Sequence, residues 1–235
     1  MKKNLFGLAA VLALAVISTC AFGQNTVKET RNVKGFTKIS YGISGNLKVS
    51  IGSEFSVVLE GDKGDLEEVI TDVSDGRLRI RMDNWRFNFN EKVNVYVTLP
   101  ELTGLSVSGS GKAEILDPIK DADNMNLSVS GSGRLVTAEL VTDQVSCSIS
   151  GSGDIVIGSG SADRGDISIS GSGGYSGENF EIDNVEIQVS GSGNCFCKAG
   201  DSLKASVSGS GNITYKGDPR VDARVSGSGH VRSAK

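Results

Sequence analysis

From residue 101 onward, apolar and polar residues alternate with a period of two, and the alternation itself recurs. Val107, Val129, Ile149, Ile169, Val189, Val207 and Val225 each stand just before a copy of Ser-Gly-Ser-Gly, and all are β-branched. Two residues earlier come Leu105, Leu127, Cys147, Ile167, Ile187, Ala205 and Ala223. Two earlier again come Thr103, Met125, Val145, Gly165, Val185, Leu203 and Val221. After each SGSG and one further residue stand Ala113, Leu135, Ile155, Tyr175, Cys195, Ile213 and Val231. Polar side chains fill the alternate positions, as in the column Ser106, Ser128, Ser148, Ser168, Gln188, Ser206 and Arg224. Period-two alternation marks half-buried strands. Each repeat therefore reads as strand, SGSG, strand, turn.

The SGSG copies begin at Ser108, Ser130, Ser150, Ser170, Ser190, Ser208 and Ser226, at intervals of 22, 20, 20, 20, 18 and 18 residues. A flexible linker has no reason to hold a period or to carry apolar flanks. A propeller blade of four strands needs about 40 residues, so this repeat is too short for one. It fits one coil of a solenoid with two or three short strands. The predicted fold is all-β: a right-handed parallel β-helix of about 20-residue coils. The hand follows the rule for parallel crossovers, and like residues stack about 4.8 Å apart. Continuing the alternation through SGSG places its glycines inward and its serines outward, as a flat polar stripe. A corner at this point would instead stack the serines inside as hydrogen-bonded ladders.

Seven residues before each SGSG an acid recurs: Glu101, Asp123, Asp143, Asp163, Asp183 and Asp201, slipping by one to Asp218 in the last repeat. Asp favours turns because its carboxylate accepts hydrogen bonds from the following backbone. Calcium is the competing reading of this column, but it needs six to eight oxygens, and the Gly-Gly-x-Gly-x-Asp pattern is absent.

Residues 24–100 lack SGSG, although residues 43–47 look like a degenerate copy. Residues 55–59, 66–70 and 78–82 read as strand, short helix or turn, and strand, and 93–97 as a longer strand. Trp85, Phe87 and Phe89 alternate with Arg86, Asn88 and Asn90. Cap core is the reading, and an exposed stripe that stacks on sugar rings is the alternative. A solenoid needs an atypical unit to cover its first rung. Residues 24–235 are therefore expected to be a single domain, with 24–100 as early rungs and cap and 101–235 as the seven SGSG repeats.

Residues 1–23 form a secretory signal by pattern: basic Lys2 and Lys3, an apolar run over 5–17, and small Ala21 and Gly23 before a cleavage ahead of Gln24. Cys20, in Ile17-Ser18-Thr19-Cys20, loosely matches a lipobox, so a lipid anchor there is the alternative. No later run is long and apolar enough for a membrane helix. Removing Lys2 and Lys3 leaves 22 basic against 28 acidic residues, and the net charge moves from −4 to −6. That balance argues against nucleic acid and anionic membranes as partners.

Candidate chemistry is sparse. His230 is the single histidine and has no nucleophile to serve. Cys147, Cys195 and Cys197 fall in inward columns and read as small buried thiols. A Cys147–Cys195 disulfide would span two coils and is geometrically doubtful. Arg164-Gly165-Asp166 matches an integrin tripeptide, but three residues carry little weight beside their ordinary places in the alternation. No catalytic, metal or cofactor residues are assigned.

The signal segment, "VKGFTKISYGISGNLKVSIG", "DGRLRIRM", "LPELTGLSVSGSG" and the recurring SGSG together resemble the auto-transporter adhesin head GIN domain family of secreted Bacteroidetes proteins. The resemblance covers essentially all of the chain after residue 23. It implies a β-solenoid fold and an envelope or surface location, and it brings no catalytic residues. The expected function is a non-enzymatic, exported rod that adheres to a surface polymer or protein, a glycan among them. A periplasmic structural or stress-related protein acting through protein partners is the alternative. A polysaccharide-active enzyme would need acids and bases on one outer groove, where this chain has mostly serine. Arg224, Arg232 and Lys235 on the last strand discourage edge pairing, so a monomer or weak dimer is expected.

Overall fold

The computed structural model describes residues 26–83 and 93–234. The signal segment with Cys20, and Trp85, Phe87 and Phe89, lie outside these residues. The first part of the chain holds β1 (Thr26–Thr30), β2 (Lys38–Tyr41), β3 (Gly45–Ile51), β4 (Ser56–Asp62), α1 (Lys63–Glu67), β5 (Val69–Ser74), β6 (Arg77–Met82) and β7 (Val93–Leu99). The repeats form β8 (Gly104–Gly109), β9 (Lys112–Ile115), β10 (Ile119–Gly131), β11 (Arg134–Gly151), β12 (Asp154–Gly171), β13 (Gly174–Gly191), β14 (Asn194–Gly209), β15 (Asn212–Lys216), β16 (Arg220–Gly227) and β17 (His230–Ser233).

β11 shows how one coil is made. Leu135 and Thr137 point inward, then Leu140 and Thr142, then Val145, Cys147 and Ile149. The alternation breaks at Ala138 and Glu139 and again at Asp143 and Gln144, so the coil has three faces. Each face pairs in parallel with the next coil, Leu135 beside Ile155 and Ile149 beside Ile169. The seven SGSG copies stack in register, from Ser108 beside Ser130 to Ser208 beside Ser226, and so bound six turns of a β-solenoid. Val107, Val129, Ile149, Ile169, Val189 and Val207 are all at most 2% exposed. Each such side chain contributes roughly 1.5–3 kcal/mol relative to an exposed one. Where Gly165 leaves the valine column without a side chain, Ile182 fills the gap: a Cβ on Gly165 would lie 2.9 Å from Ile182 Cδ1.

SGSG combines features of both arrangements considered for it. The serines face solvent, and the chain also turns. The corner falls on the first glycine, which lies at the surface, and only the second glycine is buried. Gly131 has φ +108°, and a Cβ there would meet Gly109 O at 2.7 Å. A Cβ on Gly133 would sit 2.7 Å from Val107 Cγ1 and 2.8 Å from Gly111 O. Between them, Ser132 N–H donates to Gly109 O at 2.9 Å, and Arg134 N–H donates to Gly111 O at 3.0 Å. Backbone thus rests directly on backbone at this edge of the coil.

The rungs do not stack in chain order. β2 lies between β6 and β8, and β3 between β7 and β9. The first coil of the chain is therefore an inner coil of the rod. After it, the chain runs outward through β4, α1 and β5 and lays down β6 and β7 as an outer coil. Residues 100–103 then carry it back past the first coil to β8. Leu102, 2% exposed, anchors this passage. Thr103 N–H donates to Thr37 O at 2.8 Å. Residues 43–47 stack on 109–113, with Asn46 beside Lys112 and Leu47 beside Ala113, so the degenerate copy occupies a copy's place.

The outer coil is closed over. β4 runs antiparallel to β7, and β1 antiparallel to β4. β5 and β6 form a hairpin through Asp75 and Gly76, both at positive φ, as a tight two-residue turn requires. α1 starts at Asp62, whose Oδ1 accepts from Gly64 N–H at 2.8 Å. Its Leu66 is fully buried, and Arg31 Nη2 donates to Leu66 O at 2.7 Å. At the other end, β16 pairs with β14 alone among the described residues, and all eight of its residues are exposed.

Cys147, Cys195 and Cys197 are free and buried, in their core columns. The Tyr175 hydroxyl lies beside them, with no hydrogen-bond partner among the described residues. Burial pushes the Cys147 thiol up to about 12 and raises Cys195 and Tyr175 well above their ordinary values.

Gly133→Ala destabilises the rod by about 1–3 kcal/mol in urea unfolding, because an added methyl overpacks a site already in contact. Ser132→Ala, one residue away and exposed, changes stability by no more than about 0.5 kcal/mol. The native thiols also resist alkylation at pH 8 and react only on unfolding. Because an unfolded thiol ionises near 8.5 and Cys147 only near 12, the unfolded chain releases the proton first. Stability is therefore full below about pH 8.5 and declines between there and about 12, which equilibrium unfolding as a function of pH measures.

Candidate functional site

The face ending in SGSG presents the most regular surface of the rod. Ser106, Ser128, Ser148, Ser168 and Ser206 form one outward column, interrupted by Gln188. Ser108, Ser130, Ser150, Ser170, Ser190, Ser208 and Ser226 form the next. Successive members stand about 4.8 Å apart along the rod. Ser128 Oγ donates to Ser106 Oγ at 3.0 Å, and Ser44 and Ser110 Oγ lie 3.1 Å apart. The result is a flat lattice of hydroxyls that can each donate and accept.

A third column gives this face a direction. It runs Arg77, Lys38, Gly104, Asn126, Ser146, Asp166, Glu186, Lys204 and Asp222. Cations gather at the closed end, and the far end is mixed. Glu186 accepts from Lys204 Nζ at 3.0 Å and from Gln188 Nε2 at 3.1 Å, and these bonds lower its pKa. At the closed end Gly104 leaves a notch between Lys38 and Asn126. It opens a groove of about 390 Å³ lined by Lys38, Arg77, Ser106, Asn126, Ser128 and Ser148. Arg81 is paired with Asp72 at 3.6 Å, whereas Lys38 and Arg77 have no carboxylate within 4.0 Å among the described residues. This notch can hold an anionic group between two cations and a field of hydroxyls.

Two other grooves are less suited to such a role. One of about 600 Å³ runs along the returning passage, between Lys38, Glu101, Thr103, Asp121 and Asp123. It mixes charges of both signs. The other, about 380 Å³, opens where Gly174 leaves a gap beside Phe196. Phe196 is 39% exposed, but its polar neighbours are committed, Asp154 to Arg134 at 3.6 Å and Glu178 to Lys216 at 2.8 Å.

The residues singled out from the sequence do not converge. The Asp column lies along one corner of the coils, and no group of three or more His, Cys, Asp or Glu that could hold a metal occurs among the described residues. His230 is exposed at the last coil. Arg164 and Asp166 face outward from the extended strand β12, with Gly165 inward between them. The Lys38–Arg77 notch escaped sequence reading. Its one visible signal was the outward run of Arg77, Arg79 and Arg81, and the neighbour of that run depends on the order of the rungs.

The same architecture recurs in solved structures. A "putative adhesin" from Bacteroides fragilis superposes with TM-score 0.84 at 25% identity, over 90% of this chain and 98% of that one. A "putative adhesin" from Parabacteroides merdae gives 0.71 at 24% identity, over 91% and 98%. A "putative lipid binding protein" from Parabacteroides distasonis gives 0.73 at 23% identity, over 90% and 97%. These names describe adhesion or lipid binding, not catalysis. No curated protein matches the chain. The family model for "Putative auto-transporter adhesin, head GIN domain" matches residues 35–219, and the chain belongs to that family.

Proposed function

We propose that this protein is a non-enzymatic, exported adhesion rod that binds a hydroxyl-rich polymer, a glycan carrying carboxylate or sulfate groups, along its serine face. The acidic groups are held at the Lys38–Arg77 notch, where two local cations outweigh the chain's net negative charge. Residues 24–235 act as one domain, residues 1–23 direct export, and no metal or cofactor takes part. The observation that carries the reading is the lattice of exposed serines leading into the Lys38–Arg77 notch. An extended chain with a repeating hydroxyl and acid pattern meets a surface of matching regularity. Each contact is weak, but the lattice repeats it, so affinity accumulates along the polymer. The cations at one end orient the polymer and steer its approach. The family's and the solved neighbours' adhesin descriptions support the same class of role.

Protease shaving of intact cells tests the location. Loss of the protein without lysis is the expected outcome. Full protection of a chain that lysed cells show to be cleavable removes the adhesion reading and leaves a periplasmic role with protein partners. For the binding surface, Lys38→Glu combined with Arg77→Glu weakens retention on immobilised anionic polysaccharide about tenfold, equivalent to about 1.4 kcal/mol. Unfolding of this variant is unchanged within about 0.5 kcal/mol, because both side chains project from the surface. Retention of the unaltered protein also falls as salt is raised.

A further inference from the structure

The two ends of the rod differ. One is closed by α1, the β5–β6 hairpin and the antiparallel β1 and β4. The other ends in β16, whose core-side residues Val221 and Val225 are 44% and 45% exposed, although the same columns are at most 3% exposed at Val185 and Val189. Beyond them, β16 presents an open backbone edge among the described residues. A solenoid end of this kind needs a cover.

We propose that the cover is a second copy of the same chain, joined end to end by antiparallel pairing of β16 with its counterpart about a two-fold axis through Ala223. The sequence of β16 selects this register. Residues directly opposite in an antiparallel pair point to the same side, so core-side Val221, Ala223 and Val225 must face core-side residues of the partner. Four such registers, with axes through residues 222 to 225, centre nearest β16's middle. With the axis through Ala223, Val221 stands opposite the partner's Val225, Asp222 opposite the partner's Arg224, and Ala223 opposite itself. With the axis through Asp222, aspartates oppose each other and Arg220 opposes the partner's Arg224. With the axis through Arg224, arginines oppose each other, and with the axis through Val225, Arg224 meets the partner's Ser226 and Asp222 meets no opposite charge. Like charges directly opposite are destabilising, and unlike charges are favourable. Only the Ala223 register sets Asp222 opposite Arg224 on both sides of the axis, opposes no like charges and covers all four valines of the pair; Arg220 then lies opposite the partner's Ser226. Within one copy, Arg224 and Asp222 are only loosely associated, at 4.0 Å and 81% and 63% exposed, so both are free to pair across the axis. Arg224 therefore guards the edge against other strands while admitting its own. Head-to-tail stacking into a filament is disfavoured, because the closed end offers no open coil to receive β16. The two-fold contact closes on itself.

Size-exclusion chromatography with light scattering, over a wide concentration range, tests this on the purified protein. The expected result is a two-chain particle at high concentration. D222R brings arginine against arginine and yields single chains with an unchanged circular dichroism spectrum. D222R combined with R224D restores the pair, which a merely structural role for either residue does not explain. Ala223→Cys forms a disulfide-linked dimer on mild oxidation, because that residue faces itself. A single-chain mass at every concentration up to the solubility limit overturns the proposal. So does a dimer that is indifferent to D222R and fails to crosslink through Ala223→Cys.

Discussion

Direct contact of backbone with backbone at the glycine corner is the constraint on which the rest of this rod depends. At that edge the Cα of one coil approaches the carbonyl of the coil before it, closer than any side chain permits. Gly131 and Gly133 are thus fixed by the room left by Gly109, Gly111 and Val107. Once the corner is set, the spacing of all three faces is set with it. Valine and isoleucine stack in the interior at that spacing, and whatever faces outward must also repeat at it. Identical charges stacked this closely repel by about 1 kcal/mol per pair even in water. Serine is small, neutral and able to donate and accept, so it tolerates such stacking. The exposed hydroxyl lattice is in this sense a by-product of the corner before it is a binding surface.

The notch at the closed end has a different origin. Lys38 belongs to the first coil laid down by the chain, and Arg77 to an outer coil laid down later. They become neighbours, and neighbours of Ser106, only because the first coil is enclosed between two later ones. The reversal that builds the cap therefore also gathers the cations. Closure of one end and polarity of the serine face are two results of one turn of the chain.

Much of this was legible in the sequence, and the reason is geometric. A strand shows its buried side as every second residue, and a solenoid repeats that pattern at the length of a coil. Ile149, Ile169 and Val189 declare their column without any structure. The order of the rungs was not legible. Residues 43–47 betray their kinship with SGSG, but nothing local says that Asn46 pairs with both Lys112 and Asn94. Such pairing is decided by which coil offers a matching edge, a property of the assembled rod. The corner was half legible. Alternation correctly placed the serines outward, but it could not show that the first glycine sits at the bend with positive φ. The candidate site suffered most, since it joins residues of five coils, with Lys38 and Arg77 distant in sequence from each other and from the rest.

The enclosed first coil also bears on how proteins of this shape can change length. Between residues 134 and 215 each coil pairs only with the coil before and the coil after, so a duplicated or lost block of about 20 residues leaves two matching surfaces to meet again. Residues 38–51 have no such freedom. They are held between partners on both sides that come from later in the chain, 66 residues on in the case of β8 and β9. Removing them would leave a slot inside the rod, which no sliding of neighbouring coils could close without dragging the cap along. Descent by repeat gain and loss is therefore open to one half of this molecule and barred to the other. The rod can lengthen or shorten over generations while its closed end, and the cations held there, stay as they are.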